Sequence, residues 1–482
     1  MKKSVRNSFY VIGQPLLVNL IGLPAFAYVV HRLGRVAFGQ MSAATALVAI
    51  VSLWGGLGLR PLFVKRVAQH PEDVEQSLGY QMTLRVLLNT GVAIVSILIG
   101  AAIRYNTTIQ ICVIISAACC ILSTISSTFL DTLQGLQRLR AYAMINLIAG
   151  IVITAFQVLA AWLGQGAIGL SATFLAQPAT VLVLSWYALR RQSVHLRLHF
   201  DLSVYRELLR DARSIGVAQI ATGIRDRVEN VLLPKIAGIA DFGSFSAATM
   251  PMGRLNIIPD GFTTAFFPTI AQAGKNRRED ATPTVVELMI SSLVVCIPIA
   301  VIITYLAGPI SHILFKRQDH PEICTRIMQI TAWMLPLRGL QLSMGCALQA
   351  TGKHKQTSHL GVAATVVSVL ITIFMISQYR LMGASLAWII RPGISVLFLL
   401  PLFIGSFPAS LPRVPIARIL ACTLLMGALL WYVSTLWKLH LLGVGVVGCA
   451  AVAIYIGGLI LLRVLDPSAL TEGVRRRLDK LR

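Results

Sequence analysis

The chain has 482 residues, of which 56% are hydrophobic and 13% charged, and its mean hydropathy is +0.75. A soluble core of this size has no use for so much apolar surface, so an ordinary soluble protein is excluded. The 42 Lys and Arg exceed the 19 Asp and Glu by 23, an excess that in a soluble chain would first suggest nucleic acid.

A helix that crosses the hydrocarbon core requires about 20 apolar residues. Taken in chain order, polar breaks separate fourteen such segments, centred near residues 20, 48, 91, 119, 152, 178, 224, 256, 296, 336, 366, 392, 426 and 451. Each has about 34 residues with its connection, which leaves no stretch for an extramembrane domain and puts any function inside the membrane. At the start, Lys2, Lys3, an apolar run and Ala25-Phe26-Ala27 imitate a signal peptide. Removing them would leave thirteen spans and break the repeat described below. At the end, Leu470, Val474, Leu478 and Leu481 recur at helical spacing beside Arg475, Arg476, Arg477, Lys480 and Arg482. This predicts an amphipathic helix over 466–482, lying on the anionic cytoplasmic leaflet.

With a cytoplasmic N-terminus, 27 basic residues fall on the cytoplasmic side, nine in outer loops and six inside spans. The split obeys the positive-inside rule with both termini in the cytoplasm. It explains the net charge without a nucleic-acid partner and makes anionic lipids the expected neighbours. Seven of the eight cysteines lie in spans and only Cys324 near an outer loop, so neither a disulfide framework nor a metal site is expected.

The chain repeats itself. At an offset of 204, Gly34, Phe38, Gly39, Ser42, Ala43, Ala44 and Thr45 match Gly238, Phe242, Gly243, Ser246, Ala247, Ala248 and Thr249. At 215, Leu133, Gln134, Arg138 and Arg140 match Leu348, Gln349, Lys353 and Lys355, and at 214, Gly169, Ser171, Phe174 and Pro178 match Gly383, Ser385, Trp388 and Pro392. Small residues recur in any membrane bundle because they let backbones approach, but that does not produce three blocks in the same order. Each offset spans six helices, an even number, so the repeats are parallel. The expected architecture is an all-α polytopic membrane protein. A six-helix lobe over 1–189 and a basic cytoplasmic linker over 190–212 precede a second six-helix lobe over 213–404. Two further helices over 405–465 and the tail 466–482 complete the chain.

Paired six-helix lobes are a transporter architecture, and discontinuous helices at matching positions point to its substrate site. Gly55, Gly56, Gly58 and Pro61 break span 2, while Pro251, Pro259 and Gly261 break span 8, with Pro259 at the repeat position of Gly55. A charge at mid-bilayer is costly, roughly 2.5 to 3.5 kcal/mol on insertion scales, and by default faces a cavity. The six basic residues within spans are Arg85, Arg225, Arg227, Arg254, Arg338 and Arg391. Arg85 is near a cytoplasmic end and is expected to snorkel. The others belong to the second lobe, where the acidic residues are Asp226, Glu229 and Asp260.

Arg225 and Glu229 are spaced to pair along one helix face. Arg254, Arg338 and Arg391 have no acidic neighbour at helical spacing, so two readings stand: they bind an external anion, for which guanidinium is suited, or they tie helices together through backbone carbonyls. Arg391 aligns with Gln177, so the charge is one-sided. Asp226, Glu229 and Asp260 are candidates for ion coupling. There is no GxxxxGK phosphate loop and no carboxylate pair in a sizeable outer loop, so enzyme chemistry is not expected.

The order of several motifs carries a resemblance. They are Leu33-Gly34 to Phe38-Gly39, Gly56-Leu57-Gly58-Leu59, Leu133-Gln134-Gly135 through Arg138, Asp226, Phe242-Gly243 through Ala247-Ala248, and Phe267-Pro268. Over nearly its whole length the chain resembles a polysaccharide flippase of the multidrug/oligosaccharidyl-lipid/polysaccharide exporter superfamily. The resemblance implies a V-shaped bundle in the bacterial cytoplasmic membrane that moves undecaprenyl-diphosphate-linked oligosaccharide to the outer leaflet, driven by a proton or sodium gradient and by no other cofactor. It implies a polysaccharide polymerase and glycosyltransferases as partners. Lipid II flippases of the superfamily carry arginines in the first helix, whereas Phe9 to Val30 is uncharged, which favours an O-antigen or exopolysaccharide repeat unit. The alternatives are a cation-coupled drug antiporter and a lipid II flippase.

Overall fold

A computed structural model describes residues 2–192, 194, 196, 199–274, 278–314, 321–407, 413–436 and 441–461. The tail 466–482 lies outside the described residues. Among those described there is no strand. In chain order the helices are α1 (Lys2–Val51), α2 (Leu53–Gly56), α3 (Leu59–Gln69), α4 (Val74–Ala102), α5 (Thr107–Gly135), α6 (Leu139–Trp162), α7 (Gly166–Thr173), α8 (Ala176–Arg190) and α9 (Leu202–Arg225). They continue with α10 (Val228–Ile236), α11 (Ile239–Arg254), α12 (Ile257–Ala273), α13 (Thr282–Leu314), α14 (Pro321–Ala332), α15 (Met334–Ala350), α16 (His354–Ile404), α17 (Arg413–Leu436) and α18 (Leu441–Leu461).

Among the described residues, seven helical stretches are long and apolar enough to cross a membrane. Two of them, Leu17–Gly56 and His354–Ile404, are too long for one crossing, since 20 residues already span about 30 Å. Each contains a sharp turn, at Gly34 (φ 74°) and at Arg380 (φ 48°), where the sequence places an outer connection. The remaining expected spans are interrupted or shorter. Span 8 breaks at Leu255–Asn256, between Pro251 and Pro259 as the prolines suggest. Span 2 breaks at Leu57–Gly58, with Gly55 and Gly56 in the single turn of α2 and Pro61 at the start of α3, where proline costs no intrahelical bond. Breaks at Phe174–Leu175, Asp226–Arg227 and Trp333 have no proline at the break itself to announce them.

The backbone repeats at the offsets seen in the sequence. Left-handed residues pair as Gly34 with Gly238, Gln137 with Gly352, and Gly166 with Arg380, at 204, 215 and 214. The turn before α6 closes with Arg138 N–H on Leu133 O at 2.9 Å, and the turn before α16 closes with Lys353 N–H on Leu348 O at 2.9 Å. A further contact is reciprocal. A Cβ on Gly39 would overlap the Ile239 carbonyl, and one on Gly243 would overlap the Arg35 carbonyl. Both pairs are related by 204, so equivalent helices cross backbone to backbone at equivalent points, as glycine permits.

By packing, the chain divides into two compact units, Met1–Ala247 and Ala248–Arg482. The division runs through α11, not through the basic linker. The reason is that α9 and α10 lie against the first unit: Gly216 faces the Leu57 backbone and Gly223 faces the Leu53 side chain. The first unit's core draws Phe63, Leu78, Phe129, Leu133, Val181 and Leu189 from α3, α4, α5 and α8. Two clusters are described in the second. Ile270, Leu288, Leu348 and Phe403 join α12, α13, α15 and α16. Val301, Met426, Leu430 and Leu459 seat α17 and α18 on α13.

Candidate functional site

The charges of span 7 gather at its break. Helix α9 ends at Arg225, Asp226 caps it with its N–H on Thr222 O, and Arg227 precedes the first turn of α10. Arg225 Nε donates to Asp226 Oδ1 at 3.0 Å. The break falls between Arg225 and Glu229, so the two stand on consecutive helices, Arg225 at the end of α9 and Glu229 in the first turn of α10. Glu229 is 1% exposed in the first turn of α10, where the helix dipole favours an anion. Asp226 is half exposed.

The other predicted arginines lie in the second unit. Arg338 on α15 is 3.7 Å from Asp260 on α12, an acidic neighbour that spacing along one helix cannot reveal. Its Nε is buried without a hydrogen-bond partner among the described residues. Arg391 on α16 is 9% exposed, donates from Nε to the Ala387 carbonyl at 3.2 Å, and lies 5.9 Å from the Trp388 ring centroid. Arg254 closes α11, half-buried, one residue before the span 8 break, and Gly261 follows Asp260 in α12. The proposed anion set is thus divided between the compact units, Arg225 in the first and the other three in the second.

A charged cluster of the first unit was missed by the sequence reading. Arg85 does not snorkel. Its side chain is 11% exposed, and it donates to Thr128 Oγ1 at 3.0 Å, Ser127 Oγ at 3.1 Å and Asp131 Oδ2 at 3.2 Å. Asp131 is 1% exposed at its side chain and also accepts from Arg60 Nε at 2.9 Å. Burial without a paired charge would be costly, so Arg85 turns inward to the carboxylate when one is in reach. The signal in the sequence was Asp131 itself, an acidic residue in an otherwise apolar and hydroxyl-bearing segment.

Within the first unit, α1, α5, α6 and α8 line an open cavity of about 460 Å³. Thr45, Ser52, Ser126, Ser127, Asn146 and Gln177 supply polar groups, and no charged side chain lines it among the described residues. Gln177 is the repeat counterpart of Arg391. No group of three or more His, Cys, Asp or Glu that could hold a metal occurs among the described residues, and the cysteines described are free thiols.

These features define the class: a multi-pass, repeat-built membrane transporter. A sequence profile described as "Polysaccharide biosynthesis protein" matches residues 4–274, more than half of the chain, and the chain belongs to that family. A second profile, MatE, matches residues 230–376. A Shigella flexneri protein with the provisional name O-antigen transporter is 22% identical over 415 residues, covering 82% of this chain and 96% of its own.

Among solved structures, the lipid II flippase MurJ in an inward closed conformation aligns with a TM-score of 0.62 at 14% identity, covering 95% of this chain and 98% of its own. An outward-facing multidrug resistance MATE transporter aligns with a TM-score of 0.57 at 15% identity, covering 84% and 94%. At such identities the likeness is one of fold. Together the family, the relative and the fold make this a flippase or transporter of the multidrug/oligosaccharidyl-lipid/polysaccharide exporter superfamily, acting in polysaccharide biosynthesis.

Proposed function

We propose that the protein moves undecaprenyl-diphosphate-linked oligosaccharide repeat units from the cytoplasmic to the outer leaflet of the bacterial inner membrane by alternating access, with both termini cytoplasmic. The observation that carries the reading is the recurrence of Arg225, Arg254, Arg338 and Arg391 in segments that hydropathy reads as spans, three of them in one compact unit, where Arg338 stands 3.7 Å from Asp260. A diphosphate crossing mid-membrane needs donors that replace its water, and guanidinium offers a planar, bidentate match. The relative's name supports an O-antigen unit as the glycan class. A cation-drug antiporter would need an acidic cavity, and the first-unit cavity has no carboxylate. A polymerase and glycosyltransferases are the expected partners, and the family's place in polysaccharide biosynthesis supports them.

The test uses bacteria lacking their own O-antigen flippase and expressing this chain. Arg254→Ala and Arg391→Ala should abolish surface glycan at unchanged membrane protein level, with Lys restoring only part, because it grips phosphate as a point charge. Surface glycan at the unsubstituted level in both alanine variants would refute the anion site. A proton or sodium gradient biases the two access states through Asp226 and Glu229 beside the span 7 break. In reconstituted vesicles, Asp226→Asn and Glu229→Gln should remove the dependence of glycan-lipid movement on an imposed gradient. Gradient-dependent movement unchanged in both would assign coupling elsewhere.

A further inference from the structure

We propose that the first-unit cavity is a subsite for the uncharged sugars of the cargo, separate from the arginines that hold its phosphates. This rests on the flippase reading and adds to it where the glycan is bound and by which groups. The cavity's volume of about 460 Å³ falls within the roughly 300–1,000 Å³ of small-molecule sites. Its wall is neutral, so an ionised diphosphate placed there would lose its water with no counter-charge, at a cost of several kcal/mol per ion.

What the wall presents is set by hydrogen bonds already made. Thr45 Oγ1 donates to Met41 O at 2.7 Å, Ser52 Oγ to Ala49 O at 2.8 Å, Ser126 Oγ to Ser123 O at 3.1 Å and Ser127 Oγ to Thr124 O at 3.1 Å. Asn146 Nδ2 donates to Tyr142 O at 2.9 Å. Each of these four hydroxyls has therefore committed its one proton to its own helix and retains oxygen lone pairs. Ser127 also accepts from Arg85, which fixes its rotamer.

The hydroxyls offer acceptors and the Gln177 amide offers both a carbonyl and N–H donors, a neutral mixture that suits a sugar ring, whose hydroxyls both donate and accept. Phe174 and Pro178 add flat apolar surface of the kind that packs on a sugar's C–H face. A small cation would also meet acceptors there, but the wall has no carboxylate to offset its charge.

Two cysteines in the same wall, Cys119 and Cys120, report on occupancy. Both are half-buried, while Cys112, Cys296, Cys324, Cys346 and Cys422 are buried. Full-length protein in vesicles would be labelled with a small methanethiosulfonate reagent, with the Cys119→Ala, Cys120→Ala protein giving the background. Three probes are compared: undecaprenyl-diphosphate-linked neutral trisaccharide, undecaprenyl diphosphate, and tetramethylammonium. Binding of each radiolabelled probe to the whole protein is measured in parallel.

The trisaccharide lipid should slow labelling at least tenfold, and the other two should leave it unchanged. Thr45→Val and Asn146→Leu, which keep shape and remove polar groups, should each weaken trisaccharide-lipid binding about three- to tenfold, as expected for one neutral hydrogen bond. Both should leave undecaprenyl diphosphate binding as it was. Protection by undecaprenyl diphosphate or tetramethylammonium would overturn the sugar assignment. Trisaccharide lipid that binds without protecting the thiols would overturn the subsite alone, whereas failure of that lipid to bind at all would overturn the flippase reading beneath it.

Discussion

The two compact units pair their charges with different closeness. In the first, Arg85 and Arg60 close on the buried Asp131 at 3.2 and 2.9 Å, and the neighbouring cavity is left neutral. In the second, Arg338 stands 3.7 Å from a half-exposed Asp260, and Arg391 rests on its own helix's carbonyl. The backbone of the repeats nonetheless keeps the same left-handed turns at the same offsets. Duplication conserved the geometry that lets helices turn and cross, while side chains inside the spans were free to diverge. Gln177 opposite Arg391 is the plainest case.

The comparison breaks most severely if the first unit loses its internal counter-charge. Asp131→Ala leaves Arg85 buried without its carboxylate, a change of about 3–5 kcal/mol for a broken buried pair. Membrane protein level and the melting temperature of the purified protein should both fall. Replacing the pair together, as Arg85→Met with Asp131→Leu, should recover most of the loss, since an apolar substitute of similar size removes the uncompensated charge. Arg60→Ala should cost at most about 1 kcal/mol, because its side chain is 55% exposed and water screens the pair. A double substitution no more stable than Asp131→Ala would mean that the cluster stabilises through its hydroxyl contacts and not through charge.

What the two repeats share can be tested at their crossing. Gly39→Val and Gly243→Val should each drive side-chain atoms into a carbonyl of the opposing helix, Ile239 in one case and Arg35 in the other. Because the contact is reciprocal, the two variants should lose surface glycan to a similar extent, more than tenfold, and Gly→Ala at either site should already reduce it. A severe loss at one position and none at the other would show that the pseudo-two-fold does not extend to this contact.

Much of this was legible before the structure. Hydropathy marked an all-α, multi-pass membrane protein, Gly34 and Gly238 marked matching turns, and Pro251 and Pro259 bracketed the break in span 8. The breaks at Asp226–Arg227 and Trp333 were not, because they depend on tertiary packing and carry no proline or glycine at the break itself. Arg338 with Asp260, and Arg85 with Asp131, were hidden for a common reason. Helical spacing relates residues three or four apart on one helix, and these partners come from different helices. The neutrality of the first cavity also needed coordinates, since the residues that line it come from four helices far apart in the sequence.

The smallest effect sharpens the account of the second unit. Asp260 is half exposed and 3.7 Å from Arg338, a separation at the outer edge of an ion pair. A pair so placed is worth only about 0–1 kcal/mol, so Asp260→Asn should leave melting temperature and membrane level nearly unchanged. Its electrostatic effect on a bound diphosphate has a definite sign. Removing the carboxylate frees Arg338 and lowers the negative potential at the site, so undecaprenyl diphosphate should bind several-fold more tightly. Tighter binding in the starting state need not raise turnover, because only preference between the two access states shifts the equilibrium. Equilibrium binding to the purified variant is therefore the measurement to make. Unchanged or weaker binding of the diphosphate would mean that Arg338 serves Asp260 and the helix contact between α12 and α15, leaving Arg254 and Arg391 as the second unit's anion ligands.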